Sequence, residues 1–144
     1  MCQLNRGDEE FRPDAVGALY SGSTTDIALA PLAEKIYQSR RDRDKRSPVS
    51  GLFQDPAWDI LLDLYVAQAR GKHISITSAA TAGLVPPTTA LRWVWALEEA
   101  KLVTRVSDGA DKRRSFVVLT SSGNAYMRDV LGAISDRMRQ PDKL

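Results

Sequence analysis

The stretch between Thr77 and Leu119 constrains this chain most. Two short helical segments meet there at a glycine, and two β-rich runs follow, split by a charged turn. Thr77 is predicted to cap a helix from Ser78 to about Ala82, which Gly83 ends. Leu84-Val85 leads into Pro86-Pro87, and Pro87 suits the first position of a second helix running to about Ala100. Leu102 to Val106 and Ser115 to Leu119 have the β-branched and aromatic character of strands. Ser107 to Arg114 between them is a polar turn with Gly109. Short helix, glycine, helix and basic hairpin, in that order, define a winged helix-turn-helix.

The flanks add helices. Asp26 is predicted to cap a helix to about Arg46, with Leu29, Leu32 and Ile36 at helical spacing. Its end, Arg40, Arg41, Asp42, Arg43, Asp44, Lys45 and Arg46, reads as a solvated terminus before it reads as a phosphate contact, because the aspartates dilute the field. Ser47 to Gln54 is a loop. Asp55-Pro56 is a helix start, with Asp55 capping the free amides. Trp58, Leu61, Leu62, Tyr65 and Ala69 form one face of that helix up to Gly71, and Trp58 belongs in the core. His73 to Ile76 is a short strand. Thr120 caps a last helix to about Met138, striped by Met127, Leu131, Ile134 and Met138. The fold class is mainly α with a small β-hairpin or three-stranded sheet.

One winged-helix domain is expected over 26–144, with its DNA-binding core at 55–119. Residues 1–25 form a flexible tail in which Phe11, Val16, Leu19 and Tyr20 give only a weak docking turn. The stripes of helices 26–46 and 120–138 suit an interchain bundle, and the alternative is packing within one chain.

With 144 residues and 43% hydrophobic side chains, the chain has enough apolar mass for one core. Its single cysteine, Cys2, excludes an intramolecular disulfide, so a reducing cytoplasm is the expected home and an inert thiol the expected role. The polar, acidic first ten residues are unlike a signal peptide, and no apolar run matches a bilayer's thickness. His73 is the only histidine. No Ser-His-Asp set, Cys/His metal cluster or phosphate-cradling glycine loop is present. Asp59 and Asp63, one turn apart without partner ligands, read as a solvated face. No enzyme activity, cofactor or metal is expected.

A net charge of +2 does not announce a nucleic-acid partner, so its distribution has to. On the helix from Pro87, Ala90, Leu91, Val94 and Leu97 fall on one side at about 100° per residue. Thr88, Thr89, Arg92 and Ala96 fall on the other, which is small, polar and positive, as a major-groove reader must be. Arg92 can fork onto a guanine, and the threonines can take phosphate or base contacts. Trp93 and Trp95 flank this face, each predicted to pack partly against a neighbour. A single-strand stacking platform would need a basic groove with several aromatics, which is not assembled here. In the hairpin, Asp108, Gly109 and Asp111 shape a turn from which Lys112, Arg113 and Arg114 project, suited to the minor groove. Asp111 stands close enough to orient an arginine. A merely soluble hairpin tip is the alternative. Its place straight after the reading helix favours the functional one.

Leu97-Glu98-Glu99-Ala100-Lys101-Leu102-Val103, Asp108 through Arg113, and Leu119-Thr120-Ser121-Ser122-Gly123 together resemble the multiple-antibiotic-resistance regulator (MarR) family. The resemblance spans about Trp58 to Met127. It implies that Arg113 reaches the minor groove with Asp111 in support, and that Thr88, Thr89 and Arg92 lie on the recognition face. Ala100 is read as replacing the family's glycine before the Leu-Val pair, Leu84-Val85 as lengthening the turn, and the C-terminal helix as short. The expected function is a DNA-binding transcriptional regulator, a repressor by expectation, whose partners are double-stranded DNA and a second copy of itself. Dimer contacts are expected from Leu29, Leu32, Ile36, Met127, Leu131, Ile134 and Met138. A small-molecule effector is left open. The alternative is a winged-helix module that binds protein without specific DNA binding.

Overall fold

The computed structural model describes residues 23–109, 111 and 113–142. Cys2, the docking turn at Phe11 to Tyr20, and Lys112 lie outside the described residues. The elements are α1 (Thr24–Arg46), α2 (Pro56–Ala69), β1 (Ile74–Ser75), α3 (Ile76–Gly83), α4 (Pro87–Glu99), β2 (Val103–Ser107), β3 (Ser115–Leu119) and α5 (Ser121–Arg139). The three strands form one antiparallel sheet in the order β1-β3-β2, with Val103 opposite Leu119 and Val106 opposite Phe116. Phe116, Val117, Val118 and Leu119 are all buried, so the central strand is covered on both faces.

α2 is the central helix. Ile60, Leu61, Leu62, Leu64, Tyr65 and Val66 are buried, which closes it in nearly all round. Val94 and Leu97 of α4, the strands' Val103, Val117 and Leu119, and Met127 and Leu131 of α5 complete the core. Trp58 packs at its margin, partly buried. Met127 and Leu131 correct an expectation: both are wholly inside one chain and cannot face a second copy. Leu29, Leu32 and Ile36 also lean on this core, partly buried. The large apolar side chains most exposed on the flanking helices are Ile27 and Tyr126, which the sequence reading did not single out, and Met138, with Ile134 partly exposed.

Several boundaries move for local chemical reasons. Ser23, and not Asp26, caps α1; Asp26 returns a bond to the Ser23 amide from the third helical position, completing a capping box. Asp55 precedes α2 without a side-chain capping bond, so Pro56 alone fixes the entry. β1 has only two residues because Ser75 caps α3, two positions before the expected Thr77. Gly83 is the last residue of α3, and the left-handed turn residue is Leu84, at φ 54°. A second such residue is Lys101, at φ 65°, whereas Ala100 is ordinary right-handed helix. The position that favours glycine before Leu102-Val103 is therefore Lys101.

Two buried carboxylates tie the helices together. Asp26 receives the Tyr65 hydroxyl at 2.7 Å and Arg128 Nε at 2.7 Å, joining α1, α2 and α5. Burial pushes its pKa up, but the bonds from Arg128, Tyr65 and Ser23 outweigh it and bring the carboxyl below its ordinary value. Asp59, expected on a solvated face, is fully buried and accepts from Arg40 Nε at 2.5 Å and Arg41 Nη2 at 2.7 Å. Those two arginines are thus internal ties and not part of a solvated helix end. Arg41 reaches further, donating through Nη1 to the Ala82 carbonyl at 2.8 Å, which the Tyr37 hydroxyl also contacts at 3.0 Å. α1 therefore holds the last turn of α3 directly, just before the chain turns into α4.

Candidate nucleic-acid interface

The chain enters α4 through the left-handed Leu84, whose amide and that of Val85 close the end of α3 on Thr81 and Ala80. Pro86 and Pro87 then set the first turn of α4. Ala90, Val94 and Leu97 are buried, so the opposite face must look outward. Thr88 and Arg92 are exposed on it and Thr89 is partly buried. Glu98, at the edge, pairs with Arg105 of β2 at 3.1 Å, fixing the helix end to the hairpin.

At the wing the Asp111 carbonyl accepts the Arg114 amide at 2.9 Å, and the Arg114 carbonyl accepts the Asp108 amide at 3.0 Å. Asp111 Oδ1 takes the Arg113 amide at 3.0 Å and its Nε at 3.3 Å. The backbone bond, then the guanidinium, hold the Asp111 carboxyl below its ordinary pKa, so it stays ionised as an orienting group. Arg113 still leaves 92% of its side chain in solvent. Arg114 is half exposed, 3.9 Å from the buried Asp108 carboxylate. His73 lies just before β1 with its ring 5.6 Å from that of Phe116, a packing position.

The wing and α4 are connected by a surface that the sequence reading missed. A cleft of about 660 Å³ is lined by Ser75, Thr77 and Ser78 at the start of α3 and by Asp111, Arg113 and Arg114. A second, of about 410 Å³, runs from Thr77 along α3 to Pro86 and Pro87. Thr77 lines both: the first brings hydroxyls, a helix N-terminus and two arginines together, and the second, mainly apolar with Ala80, Leu84, Val85 and the two prolines, leads from it to the first turn of α4. The hydroxyl run Ser75-Ile76-Thr77-Ser78 is its signal in the sequence, where it is indistinguishable from a strand end followed by a helix cap. No group of side chains suited to a metal occurs among the described residues, nor does a helix long and apolar enough to cross a membrane.

No protein-family model and no curated protein matches the chain. Solved structures do. Staphylococcus aureus MepR in its DNA-binding conformation is 22% identical over 82% of this chain and 81% of its own, with a TM-score of 0.50. AbsC, a MarR family transcriptional regulator from Streptomyces coelicolor, is 21% identical over 78% and 70%, also at 0.50. The chain has a MarR-like winged helix-turn-helix fold. Archaeoglobus fulgidus AF1382 is similar as well, 24% identical over 62% of this chain and 94% of its own, at 0.50. Identities this low are a likeness of fold. Within the MarR-like frame, α3 and α4 are the helix-turn-helix and β2–β3 the wing.

Proposed function

We propose that the chain is a transcriptional regulator that binds double-stranded DNA and catalyses nothing. α4 enters the major groove with Arg92 as the base-reading side chain and Thr88 and Thr89 beside it. Arg113 enters the minor groove, with Lys112 and Arg114 on phosphates. The observation that carries this reading is the tract joining the wing to α4 through Thr77, since a winged helix must meet one duplex with both elements. Helix N-terminal amides and hydroxyls at its centre suit a backbone phosphate. In support, the MepR structure of this fold is described in a DNA-binding conformation. Two copies joined through α1 and α5, with Ile27, Ile134 and Met138 among their contacts, would present two reading helices to a palindrome. Occupying such a site acts most simply as repression, and a cytoplasmic location follows from the DNA target.

The test is a selection of bound fragments from the native genome, then anisotropy over a salt series, with light scattering for the dimer. Arg113→Ala should weaken binding and lower the salt slope by roughly one. Arg92→Ala should cost about 1–3 kcal/mol on the selected site and much less on random DNA. If no fragment is enriched and Arg113→Ala binds like the wild type at every salt, the protein-binding reading replaces this one.

A further inference from the structure

Along α4 the buried residues Ala90, Val94 and Leu97 leave an opposite stripe of Thr88, Arg92, Trp95 and Glu99, spaced by four, three and four residues and all exposed. Trp95 is 49% exposed, more than Trp93 at 39%. Neither tryptophan packs on the core as expected: both stand exposed, Trp95 the more so. Among the described residues Trp95 has no aromatic or cation–π partner. Ala96 beside it is also exposed. The middle of the outward face of α4 is therefore apolar, one turn beyond Arg92, while its start is polar.

We propose that Trp95, with the Ala96 methyl, recognises the C5-methyl group of a pyrimidine in the major groove. This rests on the reading of α4 as the groove helix. The groove edge of a base pair offers donors, acceptors and one apolar group, the C5-methyl of thymine or of 5-methylcytosine. An indole has nothing to give a phosphate or a carbonyl edge through its face, so the methyl is its complement. Arg92 and Trp95 lie about one helical turn apart, roughly 5 Å along the axis. Base pairs step by about 3.4 Å. The methyl thus belongs one or two base pairs from the guanine that Arg92 contacts. A protein surface is the competing occupant. Its place on one exposed stripe with Arg92 and Thr88 favours DNA.

The experiment uses the full chain and its selected duplex. Each thymine is replaced singly by deoxyuridine, which removes only the methyl, and each cytosine singly by 5-methylcytosine. One replacement within two base pairs of the Arg92-dependent guanine should change affinity by about fourfold, the worth of one buried methyl. Uracil should weaken binding if the source is thymine. 5-Methylcytosine should tighten it if the position holds cytosine. The effect should vanish in Trp95→Ala, with melting curves as the folding control, and in Trp95→Gln should the alanine variant not fold. If the duplex is bound specifically but every replacement is tolerated, or Trp95→Ala responds as the wild type does, methyl recognition is refuted and the groove helix stands. If no duplex is bound specifically, both readings fall, and the stripe belongs to a protein contact.

Discussion

Gly123 and Gly132 lie on the same helix and should respond to the same substitution with opposite signs. A Cβ on Gly123 would fall 2.0 Å from the carbonyl oxygen of Leu102 and 2.9 Å from its carbon, both backbone atoms. Ordinary contact needs about 3.5 Å, so α5 would have to retreat by more than 1 Å. That retreat strains the Thr120 amide bond to the Leu102 carbonyl, 3.0 Å long, and the Thr120 cap on the Gly123 amide, 2.9 Å long. Overpacking costs about 1–3 kcal/mol and an orphaned buried hydrogen-bonding group about the same. Gly123→Ala should therefore destabilise by about 2–6 kcal/mol. Gly132 has nothing within 4 Å of its Cβ site. Gly132→Ala should stabilise by about 0.5–1 kcal/mol through helix propensity alone. Urea denaturation followed by circular dichroism, with equal slopes in all three proteins, gives both values. A cost below about 1 kcal/mol for Gly123→Ala would refute the close approach of α5 to the hairpin.

Asp63 is partly buried on α2, and burial raises its pKa to about 6 from 3.8. Its folded pKa lies above its unfolded one, so stability should fall as pH rises from about 4 to 6 and level off above. The shift is worth on the order of 2–3 kcal/mol. Asp63→Asn should flatten that slope and stabilise the protein at neutral pH; an unchanged slope would show the carboxyl to be solvated. Lys101→Gly relieves a left-handed residue, worth about 1–2 kcal/mol, against about 0.5–1 for glycine's extra freedom when unfolded. A rise in Tm of about 2–4 °C is expected, and a fall would place the strain elsewhere.

Element order was legible in the sequence because each element carries its own local signal. Pro56, Pro87 and Thr120 mark helix starts, and the β-branched runs mark strands. Errors arose where two residues compete for one role. Ser23 and Asp26 are both good caps, and three-residue spacing makes them partners in one box. Ser75 and Thr77 compete likewise, and the earlier one shortens β1. The strained positions, Leu84 and Lys101, sit one residue after the small residues, Gly83 and Ala100, that drew attention. The interior ties were beyond reach. Asp26 meets Arg128 across 102 positions of sequence, and no local pattern predicts that. Of the candidate interface, the outward position of Arg92 was legible from helical spacing and the projection of Arg113 and Arg114 from turn chemistry, while the choice of Arg113 among the wing cations rests on the family resemblance. The cleft at Ser75 to Ser78 was not, because it exists only once β1 pairs with β3.

The bonds from Arg41 and Tyr37 to the Ala82 carbonyl make α1 a lever. From Thr24 to Arg41 the helix is about 25 Å long. Its far end is fastened to the last turn of α3, which leads into α4. In a two-fold dimer held by the flanking helices, a tilt of α1 by about 8°, with α2 and α3 carried along through the Asp59 and Ala82 bonds, would move the end of each α3 by roughly 3.5 Å, close to one base-pair step. The reach between two half-sites is then set by the angle at which two long helices cross, and the hydrogen bonds on Ala82 transmit that angle without slack.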